Sequence, residues 1–278
     1  MPQAQLTLML IHAHPDDEVM GTGGVIHHYA MEGVSTVLVT CTGGELGDGP
    51  GGVKPGQPGH DEVRVRMMRR DELAASCAVL GVAHLETLGY LDSGMEGWPQ
   101  NHRPGSLAGT PLATELPKVL ELVDRYRPQV VVSYDERGGY GHPDHIRAHQ
   151  LALAAAEQSG IPAKVYYTAM PKSLVRTAMT AAREAGVDLS DLPQIDFDPD
   201  NPPFGVDDHL ITTRVDVSAD VSAKLEALRC HASQMDNAFM LNLPEAAVAS
   251  FFGTEHFIRA LDRSGAGIPE SDLFAGLR

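Results

Sequence analysis

The chain has little of what builds extracellular scaffolds or membrane spans. It holds three cysteines, Cys41, Cys77 and Cys230, with no C-x-x-C pair. That argues against a disulfide framework and a cysteine-ligated zinc site, and for a reducing compartment. No run of about 18 apolar residues occurs, so no membrane-spanning helix is expected. No basic segment leading into an apolar stretch opens the sequence, and a cytoplasmic location is expected. Positive charge is scarce, with 21 Lys and Arg against 37 Asp and Glu, a formal net charge of -16. Nucleic acid and anionic membranes demand basic patches that displace counterions, so neither is expected as a partner. A small polar molecule fits better.

What is present is an ordinary globular composition, 278 residues with 43% hydrophobic and 21% charged, enough for one large core. Up to about residue 170, short apolar runs alternate with longer amphipathic ones, the pattern of βα units around a mostly parallel sheet. Strands are expected at 6–12, 34–40, 84–88, 129–134 and 163–168. Helices are expected from about Gly23 to Glu32, Asp61 to Leu80, 112–126 and His145 to Gly160, with Gly33 and Gly81 as helix stops. Two Gly/Pro-rich loops, 43–60 and 92–111, follow strands, where open α/β sheets form their ligand crevice.

Beyond the core, the sequence predicts a helix near 171–185, an irregular Asp/Pro-rich insertion from Asp188 to Asp208, a strand at 209–217 and a helix capped by Ser218 that runs to about Gln234. The fold class is α/β, a Rossmann-like, mostly parallel sheet with helices on both faces and a small C-terminal α+β appendage. The chain reads as one domain, 1–278. Residues 1–170 form the core, and 171–278 a layer that shapes the pocket.

Two polar clusters interrupt this pattern. His12-Ala13-His14-Pro15-Asp16-Asp17-Glu18 follows the first apolar run, and Tyr134-Asp135 through His142-Pro143-Asp144-His145 follows the fourth. Imidazole and carboxylate are ligands for zinc and its first-row neighbours, and catalytic sites use three protein ligands with one position open. Either cluster alone is explained by carboxylates answering a helix N-terminus. Two at equivalent strand ends point instead to one site, converging if the strands are neighbours across the switch point. His14 and Asp17, three apart, and His145 are the candidate metal ligands. Asp16, His142 and Asp144 lie close by, and Glu18 is the weakest member, suited to ordering a nearby histidine.

Other polar residues read as structural. His12 is expected to be buried with its N–H satisfied, His27 and His28 to be surface or packing residues, and Cys41 to be a small core residue. Arg69 and Arg70, with Asp71 and Glu72, fit either a solvated charge cluster or, for Arg69, a substrate contact. Gly21-Thr22-Gly23-Gly24 suggests a dinucleotide loop, but Ile26 occupies the third glycine's place and carboxylates stand where a pyrophosphate would lie.

His14-Pro15-Asp16-Asp17-Glu18 together with His142-Pro143-Asp144-His145 resembles the LmbE/PIG-L family of metal-dependent N-acetylglucosamine deacetylases, over nearly the whole chain. Thr40-Cys41-Thr42-Gly43-Gly44-Glu45, Asp92-Ser93-Gly94-Met95, Gly138-Gly139-Tyr140-Gly141 and Asp272-Leu273-Phe274-Ala275-Gly276-Leu277 are similar to its actinobacterial mycothiol branch. The resemblance implies hydrolysis of the N-acetyl amide of N-acetylglucosaminyl-inositol, releasing acetate and a free amine. It makes His14, Asp17 and His145 the metal ligands and Asp16 the general base. His142 becomes the oxyanion stabiliser with Asp144 holding its imidazole, and Tyr140 a mobile group that polarises the carbonyl. Arg69, Asp92 and Glu45 fall where the family grips sugar and inositol hydroxyls.

Zinc is the expected ion, with ferrous iron the alternative for two histidines and one carboxylate. A mycothiol S-conjugate amidase and a deacetylase of glycosylated natural products share the chemistry. A zinc-dependent binding protein without catalysis would lack a base or an oxyanion residue, and neither is missing here.

Overall fold

The computed structural model describes residues 5–184, 204–234, 241, 248 and 251–278. Among these, β1 (Thr7–His12), α1 (Asp17–Met31), β2 (Ser35–Thr42), α2 (Glu62–Leu80), β3 (His84–Tyr90), α3 (Leu112–Tyr126), β4 (Val130–Ser133), the single turn α4 (Gly138–Gly141), α5 (Pro143–Ser159) and β5 (Lys164–Ala169) form the alternating part. α6 (Lys172–Glu184), β6 (Thr213–Asp216), α7 (Val221–Cys230) and β7 (Thr254–Asp262) follow. Most of the expected insertion from Asp188 to Asp208 lies outside the described residues.

The seven strands make one sheet in the order β3-β2-β1-β4-β5-β7-β6. Strands β1 to β5 are parallel, and β7 runs antiparallel to both β5 and β6. Alternate side chains of a strand face opposite ways, and both sets are buried. Leu8 and Leu10 pack with Val25, Ile26, Leu73 and Leu228 on one face. Met9 and Ile11 pack with Val119, Val123, Leu151 and Ala155 on the other. Helices cover both sides, which is why the strands read as continuous apolar runs.

Helix α2 shows the local logic. The Asp61 carboxylate accepts the N–H groups of Val63 and Arg64 at 3.0 and 3.1 Å, and Gly81 at φ 72° closes the helix in the left-handed region.

Helix α1 departs from expectation by starting at Asp17 rather than Gly23. The glycines in its first half serve packing. A Cβ on Gly24 would lie 2.5 Å from Val217 Cγ2, and one on Gly23 3.3 Å from Lys224 Cγ. The helix ladder is also entered by a buried ion pair. Lys224 Nζ donates to Met20 O at 2.9 Å, Glu255 accepts the N–H groups of Gly24 and Val25 at 2.8 Å each, and the two charges meet at 2.6 Å.

Strand β7 has no counterpart among the expected strands, and its insertion between β5 and β6 makes the C-terminal strands part of the main sheet. The expected strand at 209–217 is shorter, because Asp208–Leu210 form a 3-10 turn. Ser218–Asp220 form another, so α7 begins after Ser218 and ends at Cys230.

Candidate active site

Strands β1 and β4 are neighbours, and the chain order reverses between them. That is the switch point of an open α/β sheet, and both polar clusters open into its crevice. His14 Nδ1 lies 3.2 Å from Asp17 Oδ2 and 3.3 Å from His145 Nε2, and His145 Nε2 lies 3.4 Å from Asp17 Oδ1. Asp17 meets the two imidazoles with different oxygens, Oδ2 toward His14 and Oδ1 toward His145, so the three side chains surround a space in which one ion would be held by both nitrogens and one of the two oxygens.

Outer contacts orient the rings for that purpose. His145 Nδ1 is 3.2 Å from Gly138 O, so Nδ1 carries the proton and Nε2 presents its lone pair. His14 Nε2 faces Asp144 Oδ2 at 3.3 Å and Asp92 Oδ1 at 3.7 Å, so Nε2 donates and Nδ1 is left for a ligand. This is the carboxylate–histidine arrangement of metal centres.

The electrostatics ask for a cation. Burial works to lower the His14 imidazole, but Asp92, Asp144 and Asp17 outweigh it and hold the pKa well above the ordinary value. Burial opposes ionisation of Asp17 too, and His145 and His14 overcome it. Burial, followed by the charge of His14, pushes His145 down to about 4 despite the pull of Asp17. One proton on His14 answers several carboxylates, a duty a divalent ion would perform better. His142 is near enough that His14, His142 and His145 also form a possible donor set, as do His14, Asp92 and Asp144.

The remaining expected residues fall as follows. Asp16 has φ 104°, unusual for a residue with a side chain, and its Oδ1 is 3.0 Å from Arg69 Nη2. Burial lifts the Asp16 carboxyl to about 6, with Arg69 pulling the other way and Asp17 adding to the rise. His142 caps α5, its ring 4.6 Å from that of His14. Tyr140 is 60% exposed, with its ring 5.0 Å from His145.

Asp144 differs from expectation. Its carboxylate holds His14 and accepts Ser93 N–H at 2.8 Å. Only its backbone N–H meets His142, donating to Nδ1 at 3.2 Å. As the first turn of α5 rises from His142, the Asp144 side chain points back into the crevice while its amide serves the cap.

Arg69, Asp92 and Glu45 are all buried. Arg69 donates to Pro15 O and Gly44 O. A Cβ on Gly44, at φ 60°, would stand 2.5 Å from that guanidinium, so the glycine-rich loop closes directly over the arginine. Asp92 accepts the Leu46 and Gly94 N–H groups, and Glu45 accepts from Arg66, Arg103 and Asp92 N–H. Arg70 is the solvated member of its pair, beside Asp71.

His12 is buried with both ring nitrogens partnered, by Tyr134 and Thr22. His27 and His28 pair with Asp220, and Cys41 lies in the core. Sequence reasoning passed over Tyr134, Arg66, Arg103 and His231. Tyr134 stood inside the second cluster, where its place at the strand end was a usable signal. His231, 213 positions from its partner Glu18, had none.

Fold and site together define a doubly wound α/β protein with a buried cluster of histidines and carboxylates at its switch point. The family model described as PIG-L: GlcNAc-PI de-N-acetylase matches residues 9–156, and the chain belongs to that family. It is 39% identical, over 98% of its length and 95% of the relative's, to the 1D-myo-inositol 2-acetamido-2-deoxy-alpha-D-glucopyranoside deacetylase of Acidothermus cellulolyticus. Among solved structures it resembles the zinc-inhibited form of teicoplanin deacetylase, at TM-score 0.55 and 21% identity, covering 91% of this chain and 98% of that one. It also resembles the 4-carboxy-2-hydroxymuconate hydratase of Pseudomonas putida, at TM-score 0.59 and 18% identity, covering 95% and 99%. Those two likenesses concern the fold, which hosts more than one chemistry.

Proposed function

We propose that the chain is a zinc-dependent amidase that removes the N-acetyl group of an N-acetylglucosamine conjugate, N-acetylglucosaminyl-inositol of mycothiol biosynthesis, releasing acetate and the free amine. The observation that carries this reading is the convergence of His14, Asp17 and His145 in the crevice, with side-chain contacts of 3.2 to 3.4 Å among the two imidazoles and the two carboxylate oxygens. The near full-length relative supports the choice of substrate. The donor set suits zinc, and ferrous iron is the competitor.

The side chains of His14, Asp17 and His145 would hold the ion, which when bound would supply Lewis acidity to polarise the amide carbonyl and lower the pKa of a water toward about 7. Asp16 takes the proton from the attacking water. Its carboxyl, lifted to about 6, is ionised at neutral pH yet still basic, which is what a general base needs. It then returns the proton to the departing amine.

His142 donates to the developing oxyanion from Nε2, because its Nδ1 accepts the Asp144 amide. Burial among the neighbouring imidazoles keeps it neutral. Exposed Tyr140 closes in as a second donor. The assignment of Arg69, Asp92 and Glu45 to sugar hydroxyls rests on the family likeness, since Arg69 Nε and Glu45 Oε2, both without a hydrogen-bond partner among the described residues, are shut off from solvent.

The test is acetate release from N-acetylglucosaminyl-inositol by metal-loaded protein, with the metal identified by elemental analysis after anaerobic purification. No turnover at full occupancy would end the reading. A preference of about tenfold in kcat/KM for a mycothiol S-conjugate or a glycosylated natural product would move the substrate assignment while keeping the chemistry. The three free thiols support a cytoplasmic place, and no helix among the described residues is long and apolar enough to cross a membrane.

A further inference from the structure

Asp16 adopts its strained backbone because something holds it there. Its N–H donates to Glu18 Oε2 at 2.8 Å. Glu18 is fully buried, and its other oxygen accepts Ser76 Oγ–H at 2.6 Å and His231 Nε2–H at 2.7 Å. A buried carboxylate stays in place only when its acceptor sites are filled. Two of the three donors come from outside α1, Ser76 from α2 and His231 from the residue that ends α7. His231 is 2% exposed, and its Nδ1 has no hydrogen-bond partner among the described residues. Its polar engagement with the site therefore passes through Nε2 alone.

We propose that His231 is a positioning residue for the reaction, acting through Glu18 to hold Asp16 in the conformation that aims its carboxylate at water. The inference rests on the assignment of Asp16 as base. It gives Glu18 a role apart from the metal and brings the C-terminal layer into the chemistry without contact with substrate. Lacking His231, Glu18 would swing toward other donors and release the Asp16 amide. The triangle of ligands would stay intact, because His14, Asp17 and His145 are oriented by Asp144, Tyr134 and Gly138 O.

The test compares His231→Gln and His231→Asn in the full-length, zinc-loaded protein. A glutamine amide can place its N–H where Nε2 stands, whereas the shorter asparagine cannot reach Glu18. Expected for His231→Asn is a fall in kcat of about 10- to 100-fold, with KM and zinc affinity by chelator competition near wild type and a lowered unfolding midpoint, because buried Glu18 loses a donor. His231→Gln should recover most of that loss. Equal kcat in the two variants, or KM and zinc affinity changing in step with kcat, would reduce His231 to a structural residue. A wild type that binds zinc but releases no acetate would remove the functional reading and this inference with it. An active wild type with an unimpaired His231→Asn would remove only the inference.

Discussion

The Tyr134 ring lies stacked on His145, centroids 4.2 Å apart at 17°, and its hydroxyl donates to Asp17 Oδ2 at 2.8 Å. One residue at the end of β4 thus braces two candidate ligands, one from each polar cluster. The same oxygen accepts Ala13 N–H at 2.9 Å, tying the turn after β1 to the bracket.

Replacing Tyr134 by Phe keeps the stacking and removes the hydrogen bond to Asp17. Loss of such an outer contact typically lowers metal affinity about 10- to 100-fold. Chelator competition should read that loss with the fold intact, and unchanged affinity would mean that Asp17 is fixed without Tyr134.

Asp16→Asn keeps the shape and the Arg69 contact while removing the base. It should bind zinc as wild type does and lose kcat by about 10²- to 10⁴-fold. Full activity would take Asp16 out of the proton path.

His142 lies close enough to His14 and His145 to join them as a metal donor, and its substitution separates the two roles. As an oxyanion donor, His142→Ala should keep one zinc per chain and drop kcat about 10²- to 10³-fold. Loss of zinc in that variant, matching the loss expected for His145→Ala, would make His142 a ligand instead.

The stability of the C-terminal strands should depend on pH through His256 on β7. Burial, followed by the nearby Arg214 charge, pushes its imidazole down to about 4 from an ordinary value near 6.5. Between those values the unfolded chain takes up a proton that the folded chain refuses, so stability falls as pH drops from about 6.5 toward 4. Unfolding midpoints across that range should fall less steeply in His256→Gln, and parallel curves would remove His256 as a source of acid sensitivity.

The parts of this molecule visible in its sequence are those where one strand does one thing. The apolar runs of β1 and β4 end abruptly in His/Asp clusters, and that contrast points to His14, Asp17 and His145, which the fold brings into contact. The direction of a side chain at a helix start was not visible. Asp144 serves His142 with its amide and His14 with its carboxylate, and both arrangements share one sequence. Strand β7 stayed hidden because Glu255, His256 and Arg259 break its apolar pattern, and the reason they are tolerated lies far away, in the Lys224 ion pair and the α1 ladder. Long-range pairs such as His231 with Glu18 have no local signal at all.

The Lys224–Glu255 pair set into α1 also bears on the order in which the protein can be made. Glu255, 231 and 230 positions further along, supplies the acceptors for Gly24 and Val25. Until β7 has been synthesised, β5 lacks its antiparallel neighbour and two amides in the helix that carries Asp17 have no carboxylate to meet. Every candidate ligand is present by residue 145, but the carboxylate that meets the Gly24 and Val25 amides, in the helix that carries Asp17, is supplied only at residue 255.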